Sequence, residues 1–175
     1  MRVLALLALI SGGQVFAGDT FTFEMPDPRL RIVVPDIPQM RMAVHPNNAM
    51  QPHARFMGSD DRTGHVVSVL LPTADAGMTA RECAQAGSRA VVKRFGLDPK
   101  FVVTLQPEEN TFVMLFPYRV EPVLQFKAFL LSGYKGTHCV EVHISRTMAP
   151  AAERALAEDL AKWFQGFRGA RIVAY

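Results

Sequence analysis

Most signatures that would announce an enzyme are missing from this chain. There is no glycine-rich phosphate loop, no His-Glu-x-x-His, no Gly-x-Ser-x-Gly and no Cys-x-x-Cys. Their absence argues against the motif-bearing nucleotide hydrolases, zinc proteases, α/β-hydrolases and dithiol oxidoreductases. Charge of one sign never accumulates either. Nineteen Lys and Arg stand against sixteen Asp and Glu, for a net charge of +3. The arginines form no run, so the basic stripe with interleaved aromatics expected of a nucleic-acid binder is lacking. No apolar run approaches the roughly twenty residues that span a bilayer, so no integral membrane segment is expected in the mature chain.

What is present begins with a leader. Met1-Arg2 is a short positive start, Val3 to Ile10 is unbroken apolar sequence, and Ser11 to Ala17 is a small-residue region. Val15 and Ala17 suit the −3 and −1 positions, which predicts cleavage after Ala17 and a periplasmic or secreted protein. Residues 18–175 then form a single domain of ordinary core size. Hydrophobic content of 49% and charged content of 20% are globular values. In an oxidising compartment the two cysteines are expected to form one disulfide, Cys83 to Cys139. That bond requires a helix to meet the start of a strand on the face where Cys139 stands.

From Gly18 to Gln51 the chain is proline-rich, which excludes long helices and favours short strands at Phe21–Phe23, Leu30–Val34 and Met40–Val44. Extended runs at His53–Met57 and His65–Leu71 flank Gly58 to Gly64 as a hairpin. Thr79-Ala-Arg-Glu82 fits a capping box, and a helix follows whose small-residue face ends at Gly96. Its other face, with Arg81, Gln85, Arg89 and Lys93, is expected in water. Strands are predicted at Phe101–Leu105, Thr111–Phe116, Val123–Ser132 and Gly136–Ser145, on short connections that imply an antiparallel meander. In the last of them Val140, Val142 and Ile144 point one way, and Cys139, Glu141, His143 and Ser145 the other. The final helix carries Leu156, Leu160, Trp163, Phe164 and Phe167 on one stripe. The fold class is therefore α+β: an antiparallel meander with two amphipathic helices packed on it, preceded by irregular Pro- and Met-rich strands.

That order, ending in an amphipathic helix after a strand of the Cys139-Val-Glu-Val-His-Ile144 kind, resembles the small α/β sandwiches of the PsbP-like and DcrB-like families. The resemblance covers about His65 to Arg168 and rests on topology; the N-terminal part and the cysteine pair have no counterpart in it. It implies an accessory or adaptor role that binds proteins. It carries no functional residue across.

Three site readings follow from the residues. Cys139 and His143 lie about 13 Å apart along one strand, too far for a thiol and its activating base. Glu141 and His143 are near enough to share a metal but lack a third ligand. They are expected as solvated polar residues. Met40, Met42, His45, Met50 and His53 fall in one short exported segment, and thioether and imidazole ligands suit Cu(I). Five of the eight methionines after Met1 lie between Met25 and Met57. The alternative is that they fill an irregular packing surface. The leading expectation is a non-enzymatic exported domain that binds another exported protein, as an adaptor, inhibitor or immunity-type protein. A periplasmic copper-binding protein is the alternative, and a hydrolase with a dispersed site is the third.

Overall fold

In a computed structural model of the chain, residues 19–148 and 156–175 are described, apart from the side chains of residues 156–160. The leader expected over residues 1–17, and Leu156 and Leu160 of the last stripe, lie outside that description. Ten strands and two helices follow in order: β1 (Thr20–Met25), β2 (Leu30–Pro35), β3 (Ala43–Val44), β4 (Ala54–Asp60), β5 (His65–Leu70), α1 (Ala80–Phe95), β6 (Val103–Glu108), β7 (Thr111–Val120), β8 (Val123–Tyr134), β9 (His138–Met148), α2 (Leu156–Gly166) and β10 (Arg171–Ala174). All strand pairs are antiparallel. Seven strands form one sheet in the order β3-β4-β5-β9-β8-β7-β6, and β1-β2-β10 form a second.

Local chemistry places the turns. Asp60 closes the β4–β5 hairpin, its side chain accepting from Arg62 N and Thr63 Oγ1 at 3.0 Å each, while Gly64 takes the φ of +71°. The Asp- and Gly-rich stretch is thus a hairpin turn. In α1 the capping box is complete: Thr79 Oγ1 accepts from Glu82 N, and Glu82 Oε2 accepts from Thr79 N at 2.8 Å. Gly96 ends the helix in the left-handed conformation, where its missing Cβ removes the steric penalty.

The large sheet is covered on both faces. On one face Val67, Val69, Leu115, Phe126, Leu130, Val142 and their neighbours pack against Phe21, Ile32 and Val34 of the small sheet and Trp163 and Phe167 of the C-terminal segment. Each such large side chain taken wholly out of water contributes roughly 1.5–3 kcal/mol. On the other face Ala84 and Val91 of α1 pack on Met114, Phe116, Phe129 and Leu131. The expected meander and two helices are present, but the chain is mostly strand. A second sheet, closed by the C-terminal strand β10, shares with α2 the face that the helices were expected to cover. The physical reason is the N-terminal pair β1–β2, whose alternate residues Phe21, Met25, Leu30 and Ile32 are fully or almost fully buried and need a partner face.

Cys83 and Cys139 are bonded, with Cα atoms 5.3 Å apart. The bond forms because α1 lies on the side of β9 that carries Cys139, Glu141 and His143, as the expected disulfide requires. No described helix is long and apolar enough to cross a membrane.

Candidate functional site: a groove beside an open strand edge

β6 is the last strand of the seven-stranded sheet, hydrogen-bonded to β7 on one side and, among the described residues, to no strand on the other. Above it runs the exposed flank of α1. Between them lies a groove of about 440 Å³ with Arg81, Gln85 and Arg89 on the helix rim and Thr104 and Gln106 on the strand rim. Ala84, Phe112 and Met114 contribute an apolar floor. Helix periodicity puts Arg81, Gln85 and Arg89 on one line, i, i+4 and i+8, so the rim is basic along two turns. Neither arginine pairs with a carboxylate among the described residues. Phe101, two residues before β6, is 63% exposed, and Val103, its first residue, 38%. An exposed strand edge with apolar side chains beside it is a template for another chain.

A second depression, about 570 Å³, opens on the same face where α1 no longer covers the sheet. Glu141 and His143 of β9 and Leu70 of β5 form its floor, with His53, Thr73 and Arg94 around it. His143 Nε2 is 3.1 Å from Glu141 Oε2, and its ring centroid is 4.1 Å from that of Phe129, its cross-strand partner. Burial against that ring lowers the imidazole pKa, opposed by the Glu141 carboxylate and aided by the Arg94 and Lys127 charges. His143 is therefore neutral at pH 7. Glu141 and His143 are half-buried beside α1 and not on a fully solvated face.

The methionine and histidine segment is divided among several surroundings. Met40 is buried in the core at 7% exposure, and Met40 Cγ and Met42 Sδ both close over Gly58. Met50 is 80% exposed. His45 accepts at Nδ1 from Asn47 N, 3.1 Å away, and His53 lines the depression beside Arg94. Met40 and Met42 are brought together over Gly58, by packing of the kind irregular surfaces require. Among the described residues no three His, Cys, Asp or Glu side chains are placed to hold a metal ion.

Sequence reasoning assigned Arg81, Gln85 and Arg89 to a solvated face, and they are exposed; what it missed is that they border a groove. No local signal marks β6 as an edge, since that depends on which strands pair elsewhere. Neither the protein-family models nor the curated proteins contain a match to the chain.

Proposed function

We propose that the protein is an exported accessory domain that binds an acidic, extended segment of another exported protein in the groove between α1 and β6. The observation that carries this reading is the coincidence of an open strand edge, an apolar floor and two arginines without carboxylate partners among the described residues. An added strand would pair with the Val103–Gln106 part of β6, ahead of Pro107, which has no N–H, and its alternate side chains would enter the groove over Ala84, Phe112 and Met114. Carboxylates on the segment would meet Arg81 and Arg89, which supplies orientation and selectivity. Export rests on the leader and agrees with the Cys83–Cys139 bond.

The test uses a random peptide library displayed on phage and selected against the intact, oxidised protein. The expected result is enrichment of acidic peptides with alternating apolar residues. A selected peptide should lose at least about tenfold in affinity against Arg81→Glu/Arg89→Glu, and should shift the β6 amides in NMR. Peptides without acidic bias, or binding that survives the charge reversal, would refute the reading.

A further inference from the structure

The depression over β9 is distinct from the groove and carries its own chemistry. Four titratable groups line it and a fifth stands beside it. Arg94 from the last turn of α1, Glu141 and His143 from β9, and His53 from the β3–β4 connection line the depression. Lys127 of β8 is outside the lining, near enough for its charge to act on His143 and for the Arg94 charge to act on it. Lys127 and Arg94 both stand over the Phe95 ring, at 5.8 and 5.4 Å from its centroid. The Phe95 ring packs on Phe129, and Phe129 packs on His143. Two permanent cations and an imidazole thus share one aromatic cluster. The nearest carboxylate, Glu141, already holds His143. Neither Arg94 nor Lys127 pairs with any other carboxylate among the described residues.

Arg94 in the lining and Lys127 beside it are thus two cations set against the one carboxylate of Glu141. Lys127 bears the cost, since burial and then the Arg94 charge lower its pKa. An unpaired, partly desolvated ammonium beside a guanidinium gains most from an anion that both can reach. The guanidinium offers a two-pronged contact to a planar or tetrahedral oxyanion, whereas neutral His143, its Nε2–H donated to Glu141, keeps only an accepting Nδ1 and serves as the floor and not as a donor. A depression of about 570 Å³ is large enough for a small organic acid.

We infer that this depression is a binding site for a small oxyanion, carboxylate or phosphate, held by Arg94 from its wall and by Lys127 reaching in from beside it, over His143. Glu141 orients the imidazole and, on its free oxygen, accepts from a hydroxyl or amine of the same ligand. The inference is independent of the peptide groove, which shares none of these side chains.

Histidine-ring NMR of the intact, oxidised protein tests it. Inorganic phosphate and succinate are titrated separately to about 20 mM, with sodium chloride at matched ionic strength as reference. A saturable shift of the His143 ring in at least one titration is expected, absent with chloride. Phosphate alone, or succinate alone, would identify which oxyanion the site takes. Arg94→Gln and Lys127→Met should each weaken the response at least about fivefold. Lys127→Met keeps an apolar stem over Phe95, so an unchanged melting temperature separates loss of charge from loss of fold. The same shift with chloride, no shift with either oxyanion, or a shift untouched in both variants would overturn the site.

Discussion

Gly133 of β8 faces the first turn of α1 so closely that a Cβ on it would lie 3.0 Å from both N and Cα of Ala80. Its neighbour across the ladder is Cys139, which is bonded to Cys83 one turn further along the helix. One small patch of sheet therefore sets both the clearance and the anchorage of α1. Gly133→Ala presses on backbone, which cannot rotate away, and is expected to cost about 1–3 kcal/mol in urea unfolding. Gly87→Ala is the informative contrast. Its Cβ would meet Leu131 Cδ2 at 2.9 Å, the end of a flexible side chain, and alanine gains up to about 1 kcal/mol of helix propensity there. Equal stabilities for Gly133→Ala and the parent would remove the close-seating account.

The disulfide closes 56 residues of sequence separation. Under the chain-entropy model its loss in Cys83→Ala/Cys139→Ala should reduce stability by about 4 kcal/mol. Because Gly133 and Cys139 hold the same helix seat, the penalties should not add. A double-mutant cycle with Gly133→Ala is expected to leave a coupling of at least about 0.5 kcal/mol. Strict additivity would mean that the bond and the close approach act independently.

His65 predicts a pH dependence. It is 5% exposed, and Nδ1 lies 2.9 Å from Thr63 Oγ1, whose own hydroxyl donates to Asp60 Oδ2. The imidazole must therefore donate from Nδ1, leaving Nε2 buried and unpartnered. Burial first, and then the Arg146 charge, push its pKa from 6.5 down to about 4, although Asp60 opposes them. Since the folded value is the lower one, the unfolded chain takes up a proton that the folded chain refuses. The stabilisation is complete above pH 6.5 and is lost as pH falls toward 4, by about 3 kcal/mol in all. His65→Asn keeps a donor for Thr63 and cannot titrate. The stability gap between parent and variant, from chemical denaturation, should narrow from pH 7 to pH 4. A constant gap would contradict the assignment.

How far the chain disclosed this structure follows from the reach of each interaction. α1 was legible to the residue at its start because Thr79, Glu82 and Gly96 act within one turn. β9 was legible because Val140, Val142 and Ile144 alternate on an inner strand. β7 runs past Phe116 to Val120 because Pro117 pairs with Phe126 without needing a ladder donor of its own. The small sheet was not legible. β2 joins β10, setting Ile32 opposite Ile172, and no pattern in either segment names the other. The same holds for both site candidates. Arg94, Lys127 and His143 come from three elements, and the groove exists only because β6 ends the sheet. Glu141 and His143 were expected in water since a strand's pattern tells which residues share a face, not what lies over it.

The His143–Glu141 pair makes the sharpest test of that second face. Burial against Phe129 lowers the imidazole pKa, the Glu141 hydrogen bond and charge raise it, and Arg94 and Lys127 lower it. These influences predict opposite displacements from single substitutions. Glu141→Gln removes a negative neighbour while keeping a hydrogen-bonding oxygen, so the His143 pKa should fall further. Arg94→Gln and Lys127→Met each remove a positive neighbour, so it should rise toward the ordinary histidine value. The readout is the ring-proton titration of His143 in each variant. If Glu141→Gln raised the value, the carboxylate would not be the group holding the imidazole. If neither cation substitution moved it, their charges would not reach the ring. In that event the depression would lack the positive field on which oxyanion binding depends.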